Sequence, residues 1–313
     1  MFVRHTRNML SARSALSIVL LAMAAAFAAG CATSLKTAER PAGPPAQLQA
    51  ATKEQLITSY NEQASALRSI SATISIKLTA GTAYSGVIKQ YHEVKGFILA
   101  QKPASIRLIG QAPIVGTNIF DMASDGETFR VYIPSKNKFL EGPANLQRES
   151  AQPIENLRPQ HVAEALFWAA VPVDSPVLLE AGDESEARYY ILTVLRNARG
   201  NDSAGQLDNG KVAWEIDRKV WFDRADLSVA RLQVYDSGGN VTSDVRYGQW
   251  KSFGSVRFAG QIELTRPAED YALQIGITKL SANEPLSADK FELKQPEGVE
   301  LVRVGEEIRE PKP

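Results

Sequence analysis

From Thr52 the apolar positions recur at steps of three and four: Leu56, Tyr60, Ala64 and Leu67 form one stripe of an amphipathic helix. Thr52 and Gln55 have the spacing of a capping box, which sets the helix start. The period then changes to two. Ile70, Ala72, Ile74, Ile76 and Leu78 alternate with Ser69, Ser71, Thr73, Ser75 and Lys77, predicting a strand with one apolar and one wet face. Ala80-Gly81-Thr82 ends it. Further strands are predicted over 87–91, 94–101, 106–109, 118–122 and 128–133, with turns at Ser124-Asp125-Gly126 and Pro134-Ser135-Lys136-Asn137 ahead of Phe139-Leu140. Residues 111–116 break the alternation, and 141–156 read as loop.

A second helix is predicted over 159–170, with Pro159 suited to its first turn, Val162, Ala165, Leu166 and Ala169 as its buried stripe, and Pro172 and Pro176 to stop it. Strands resume over 188–195, and 197–211 is a long polar loop. Strands then follow at 212–216 and 219–222. The clearest hairpin pairs 230–235 with 241–250 around Gly238-Gly239. Further strands read at 255–258, 261–264, 271–280, 291–293 and 299–304. The sum is a mainly β (α+β) chain, a long antiparallel meander with one helix ahead of it and one in the middle. Hairpins with one apolar face imply a curved sheet, and the concave side is where two amphipathic helices bury their stripes.

The N-terminal segment follows other rules. Arg4, Arg7 and Arg13 precede an apolar run from Ala15 to Gly30, which ends in small residues at Cys31, the one cysteine of the chain. That order is the layout of a secretory signal peptide, and the run is shorter than the ~20 residues of a spanning helix. Ala28-Ala29-Gly30-Cys31 resembles a bacterial lipobox, with Ala28 where Leu is usual. The resemblance implies cleavage before Cys31 and its acylation. The alternatives are an uncleaved membrane helix, or a plain signal peptide with a chance cysteine. Residues 1–30 are thus expected as a lipoprotein signal peptide and 31–51, rich in Pro and Ala, as a tether. Residues 52–305 are expected as one domain and 306–313 as a flexible tail.

Charge and chemistry narrow the function. The chain carries 35 basic and 35 acidic side chains with no Lys/Arg block, which argues against nucleic acid. One cysteine excludes a disulfide framework and a thiolate metal site. His5, His92 and His161 have no ligand-spaced partners, so metal binding is not expected. His161 is expected at the surface. Asp183, Glu184 and Glu186 read as a solvated turn, and Ser237 beside Gly238-Gly239 as turn chemistry. No phosphate loop, dinucleotide fingerprint or nucleophile elbow is present, so neither a cofactor nor catalysis is expected.

Three stretches carry a family likeness. Ile106-Arg107-Leu108-Ile109-Gly110-Gln111-Ala112-Pro113-Ile114-Val115-Gly116 is a strand ending in a Pro/Gly-bounded apolar loop. Asp125-Gly126-Glu127-Thr128-Phe129-Arg130-Val131-Tyr132-Ile133-Pro134 is an Asp-Gly…Tyr-x-Pro hairpin. The third runs from Val241 through Tyr247, Ile262, Leu264 and Pro267 to Asn283-Glu284-Pro285-Leu286 and Phe291-Glu292-Leu293. In this order they resemble the bacterial LolA/LolB lipoprotein-sorting proteins, and the chain is longer than a typical LolB, chiefly at 141–157, 197–211 and the tail.

The resemblance implies an antiparallel incomplete β-barrel, a half-barrel with helices lidding an apolar cavity. It implies a non-catalytic, lipid-anchored carrier that binds acyl chains of lipoproteins or lipids and passes them to the outer membrane. A periplasmic carrier protein is the implied delivering partner. Ile114 and Val115 match the membrane-transfer loop of that family, or are core residues at a strand end. Strand parity suggests Ile74, Ile76, Leu78, Leu108, Val131, Ile133 and, from the second helix, Leu166 as cavity lining, with plain core packing as the alternative. Ala32 after Cys31 implies an outer-membrane location with the domain facing the periplasm. A structural or sensing lipoprotein that uses the same fold to bind a protein partner is the other reading.

Overall fold

The computed structural model describes residues 48–81, 88–112, 114–144, 156–184, 187–198 and 213–304. They belong to one compact unit that begins at Leu48. The expected signal peptide, Cys31, the tether to position 47, residues 82–87, 113, 145–155, 185–186 and 199–212, and the tail lie outside them.

Helix α1 (Lys53–Ala66) starts where the capping box places it. The Gln55 N–H donates to Thr52 Oγ1 at 3.3 Å and the Thr52 N–H to Gln55 Oε1 at 2.8 Å, so two otherwise unpaired amides are satisfied. Leu56, Tyr60 and Ala64 are buried as the stripe requires. At the other end, Lys102 Nζ donates to the Ala64 carbonyl, a cation against the negative end of the helix.

The chain then enters β1 (Ser69–Ala80), β2 (Lys89–Gln90), β3 (Val94–Gln101), β4 (Ser105–Gln111), β5 (Asn118–Ser124), β6 (Thr128–Ile133) and β7 (Lys138–Pro143). Helix α2 (Pro159–Leu166) intervenes. After it come β8 (Val177–Glu184), β9 (Ala187–Asn197), β10 (Trp214–Asp223), β11 (Val229–Tyr235) and β12 (Val241–Phe253). The chain closes with β13 (Val256–Arg266), β14 (Tyr271–Ala282) and β15 (Glu300–Arg303).

Among the described residues all of these form one sheet, in the order β15-β7-β6-β5-β4-β3-β1-β14-β13-β12-β11-β10-β9-β8, with β2 on β1. Two antiparallel meanders are thus joined by the first strand, β1, which pairs β3 on one side and β14 on the other. The sheet does not close, since β15 and β8 remain edges. It is mixed rather than wholly antiparallel, because β15 runs parallel to β7.

Inward positions of the strands meet both helices in one apolar core, from Ile70, Ile74 and Ile76 on β1 to Leu264 on β13 and Ile275 on β14. Burying each such side chain contributes about 1.5–3 kcal/mol, which is what keeps the amphipathic helices on the concave side.

The structure corrects the sequence reading at several places. Helix α2 ends at Leu166, not 170, and Phe167 is extended. The turn there releases Trp168 to the core and leaves Ala169 exposed. Strand β8 was not expected, and Asp183 and Glu184 are its last two residues rather than a turn, while Glu186 lies outside the described residues. The strands expected at 212–216 and 219–222 are one, β10, with an irregularity between Ile216 and Arg218. Those expected at 255–258 and 261–264 merge into β13. Residues 291–293 are not a strand: a 3-10 turn over Ala288–Phe291 buries Phe291 instead. Position 87 of the 87–91 strand lies outside the described residues, and β2 keeps only its middle.

Candidate functional site

Seven side chains were expected to line an apolar interior. Ile74, Ile76, Leu108, Val131 and Leu166 are buried, and Leu78 and Ile133 pack partly buried against the same core, so all seven belong to one apolar cluster. A cavity of about 310 Å³ opens between the C-terminal end of α1, the turn after α2 and the β12–β13 hairpin. Its walls include Ala64, Leu67, Leu166, Trp168, Trp250 and Phe258. Of the seven expected residues, Leu166 lines it; the other six are not among its lining residues.

The wall is aromatic, which sequence reading missed. Trp168 packs on Tyr247 at 5.4 Å and on Trp250 at 6.3 Å between ring centroids, and Trp250 on Phe258 at 6.4 Å. Trp168 Nε1 donates to Tyr247 Oη at 2.9 Å, and that hydroxyl donates to the Ala165 carbonyl at 2.8 Å. Burial raises the Tyr247 pKa, so the phenol stays a neutral donor. Tyr247 and Trp250 differ by three positions along one strand, and strict alternation would place them on opposite faces. Gln249 between them has φ +53°, and this left-handed residue lets both approach Trp168.

A polar cluster fastens α2 at its N-terminal end. His161 Nδ1 lies 2.6 Å from Tyr271 Oη, and its Nε2 lies 3.7 Å from Glu269. Arg266 pairs with Glu269 through two hydrogen bonds of 2.6 and 3.2 Å, and Asn156 Nδ2 donates to the Glu269 carbonyl at 3.2 Å. His161 is therefore not the surface residue its sequence position suggested. Burial first, then the charges of Arg266 and Arg158, hold its pKa well below the ordinary histidine value. The imidazole is neutral, with its Nδ1 shared with the tyrosine.

The third feature is the β4–β5 loop. The Ala112 N–H donates to the Thr117 carbonyl at 2.9 Å and the Gly116 N–H to the Ala112 carbonyl at 3.1 Å, and Gly116 takes φ +66°. This tight loop thrusts Ile114 out at 96% exposure and Val115 at 70%. Neither side chain is packed in the core. No group of three potential metal ligands occurs among the described residues. No described helix is long and apolar enough to cross a membrane.

No protein-family model and no curated protein matches the chain. Solved structures of similar fold are found. A LolA-superfamily protein of Nitrosomonas europaea is 12% identical with TM-score 0.45, over 78% of this chain and 99% of that one. A DUF1329-family protein of Desulfovibrio piger is 14% identical with TM-score 0.46, over 75% and 94%. A putative outer-membrane lipoprotein-sorting protein domain of Vibrio parahaemolyticus is 12% identical with TM-score 0.41, over 76% and 94%. At these identities and scores the likeness assigns no role to any residue of this chain.

Proposed function

We propose that this chain is a lipid-anchored, non-catalytic carrier or acceptor. It binds acyl chains of lipoproteins or lipids under its helices and passes them to the outer membrane. The observation that carries this is the aromatic-walled cavity of about 310 Å³ beneath the end of α1, at the lower end of the size range of ligand sites. Six methylenes entering such a site would contribute roughly 5 kcal/mol. Release needs no bond-breaking step, because a bilayer buries the same chain at least as well. The family resemblance implies a handover at the exposed Ile114 and Val115, which stand on the rim opposite the β12–β13 hairpin that walls the cavity. Ile74, Ile76, Leu78, Leu108, Val131 and Ile133 belong to the packed apolar core in this reading, and acylated Cys31 is the anchor.

The test is lipid extraction and native mass spectrometry on the purified protein, beside an Ala64→Phe variant that fills the cavity. Co-purifying acyl species lost in the variant, with its melting unchanged, supports the carrier. A lipid-free wild type that also takes up no fluorescent fatty acid overturns it, and the protein-partner reading then leads.

A further inference from the structure

The two edges of the sheet differ. Strand β15 is four residues long, whereas β8 runs for eight and pairs β9 from Val177↔Val194 to Glu184↔Ala187 without a bulge. The Leu195 N–H donates to the Pro176 carbonyl at 3.0 Å, which fixes the phase of the ladder. Even-numbered residues of β8 therefore bond to β9. The N–H and C=O groups of Val177, Leu179, Ala181 and Asp183 point the other way, where no strand follows among the described residues. Sheet edges are usually blunted by shortness, proline, lysine or a bulge, and β8 has none of these. An unpaired ladder of this length can accept an extended segment of another chain as one more strand.

The two faces of β8 specify what that segment must carry. Val177 and Leu179 pack against the core from the concave side. Leu178, Glu180 and Glu184 alternate with them on the other face, all exposed. Residues 172–184, which are β8 and the turn ahead of it, hold four carboxylates and no Lys or Arg. The cations nearby are engaged or distant. Arg188 lies opposite Asp183, and Arg224 covers the Tyr190 ring on that side. Arg231 reaches Glu184 at 3.6 Å, but Asp244 holds it through two bonds of 2.8 and 2.5 Å. Glu180 takes part in none of the salt bridges among the described residues. An added strand would lie about 5 Å from β8 and about 14 Å from Lys219 on β10, beyond the screening length at physiological salt. Two copies pairing through β8 would set their carboxylates on one seam, whereas lysine or arginine would meet them.

We infer that the β8 edge docks an extended, basic segment of a partner protein. The segment adds a strand whose apolar side chains continue the concave face beside Val177 and Leu179, while its Lys or Arg side chains meet Glu180 and Glu184. The inference goes beyond the carrier reading and does not rest on it.

The test uses the full chain with C31S and a fluorescent octapeptide that alternates valine and lysine, beside the same peptide with glutamate for lysine. Anisotropy is expected to show at least about tenfold tighter binding of the lysine peptide. With that peptide bound, amide exchange should slow at Leu179, Ala181 and Asp183, whose N–H groups point off the sheet. E180K/E184K should abolish the preference for lysine. A181P removes an N–H that no sheet bond uses, so melting stays within a few degrees while binding is lost. No binding of the lysine peptide, equal affinity for both peptides, or undiminished binding by A181P overturns the inference. So does a dimer of the peptide-free protein that A181P dissociates, which makes a second copy the occupant. Fatty-acid uptake, measured separately, tests the carrier reading alone.

Discussion

Trp168 stacks on Tyr60, with ring centroids 5.3 Å apart and planes 8° from parallel. One residue comes from the turn after α2 and the other from the middle of α1, so the contact ties the two helical elements over the sheet. Asn61, next to Tyr60, repeats the tie: its Nδ2 donates to the Val171 carbonyl at 3.2 Å and its Oδ1 accepts from the Val171 N–H at 2.8 Å. Trp168→Ala is expected to lower stability by about 3–5 kcal/mol, the usual cost of emptying a large buried aromatic site. Trp168→Phe keeps the stacking and loses the bond to Tyr247, so it costs less. Urea denaturation of both variants measures this.

Acid is expected to loosen α2. The imidazole of His161 is held neutral in the folded state and titrates near 6.5 when unfolded. Its folded pKa is depressed, so the unfolded chain binds the extra proton first. The contribution is therefore fully present above pH ~6.5 and declines as the pH falls below it. The groups facing the ring are Tyr271, Glu269, Arg266 and Arg158. Glu269 is the carboxylate nearest the ring, but Arg266 already engages it. Urea midpoints at pH 7.5 and pH 5 should differ for the wild type and differ less for His161→Gln. An equal pH dependence in both would remove this role from His161.

Arg107 is expected to matter more than a surface ion pair. Its Nε and Nη2 reach both oxygens of Asp121 at 3.0 and 2.8 Å, and its Nη1 donates to the carbonyls of Lys290 and Glu292. The fork thus joins β4, β5 and the segment that leads to β15. Arg107→Ala leaves Asp121 buried without its cation, a loss of about 2 kcal/mol after allowing for the partial exposure of the arginine. Amide exchange at 288–293 should quicken with it. Arg107→Lys cannot form the fork and should recover little.

Filling the cavity should separate stability from binding. Ala64→Phe places a ring in the space beside Trp168 and Phe258. Melting is expected to stay within a few degrees, while fatty-acid uptake falls below detection. A collapse of melting instead would show that the space is too small to take an aromatic ring.

Much of this architecture could be read from residue order. The alternation from Ser69 to Leu78 located β1, and Thr52 with Gln55 located the start of α1, because both are local signals. Strand β8 escaped because its sequence, Val-Leu-Leu-Glu-Ala-Gly-Asp-Glu, lies at the sheet edge, where little is buried and no clean alternation is needed. The end of α2 escaped because it coincides with a tertiary contact: past the helix end Trp168 stacks on Tyr60. The parallel pairing of β15 with β7 joins residues about 160 positions apart, for which a short strand carries no local mark. The cavity was legible only as an apolar interior. Its aromatic wall depends on the left-handed Gln249, which no hydrophobic pattern announces.

Where the chain enters the domain has its own consequence. The Gln49 N–H donates to the Arg224 carbonyl at 2.7 Å, and its side chain to the Ala225 carbonyl at 3.1 Å, pinning the entry to the β10–β11 turn. That turn is on the rim opposite Ile114, since β1 starts on one rim and reaches Ala80 on the other. The twelve residues of β1 span about 40 Å. Residues 31–47 of the expected tether reach on the order of 50 Å when extended. Under the proposed anchoring, the exposed tip of the β4–β5 loop and the point of chain entry lie at opposite ends of β1. A handover at that tip to the anchoring membrane would then require the segment ahead of Gln49 to span the length of that strand.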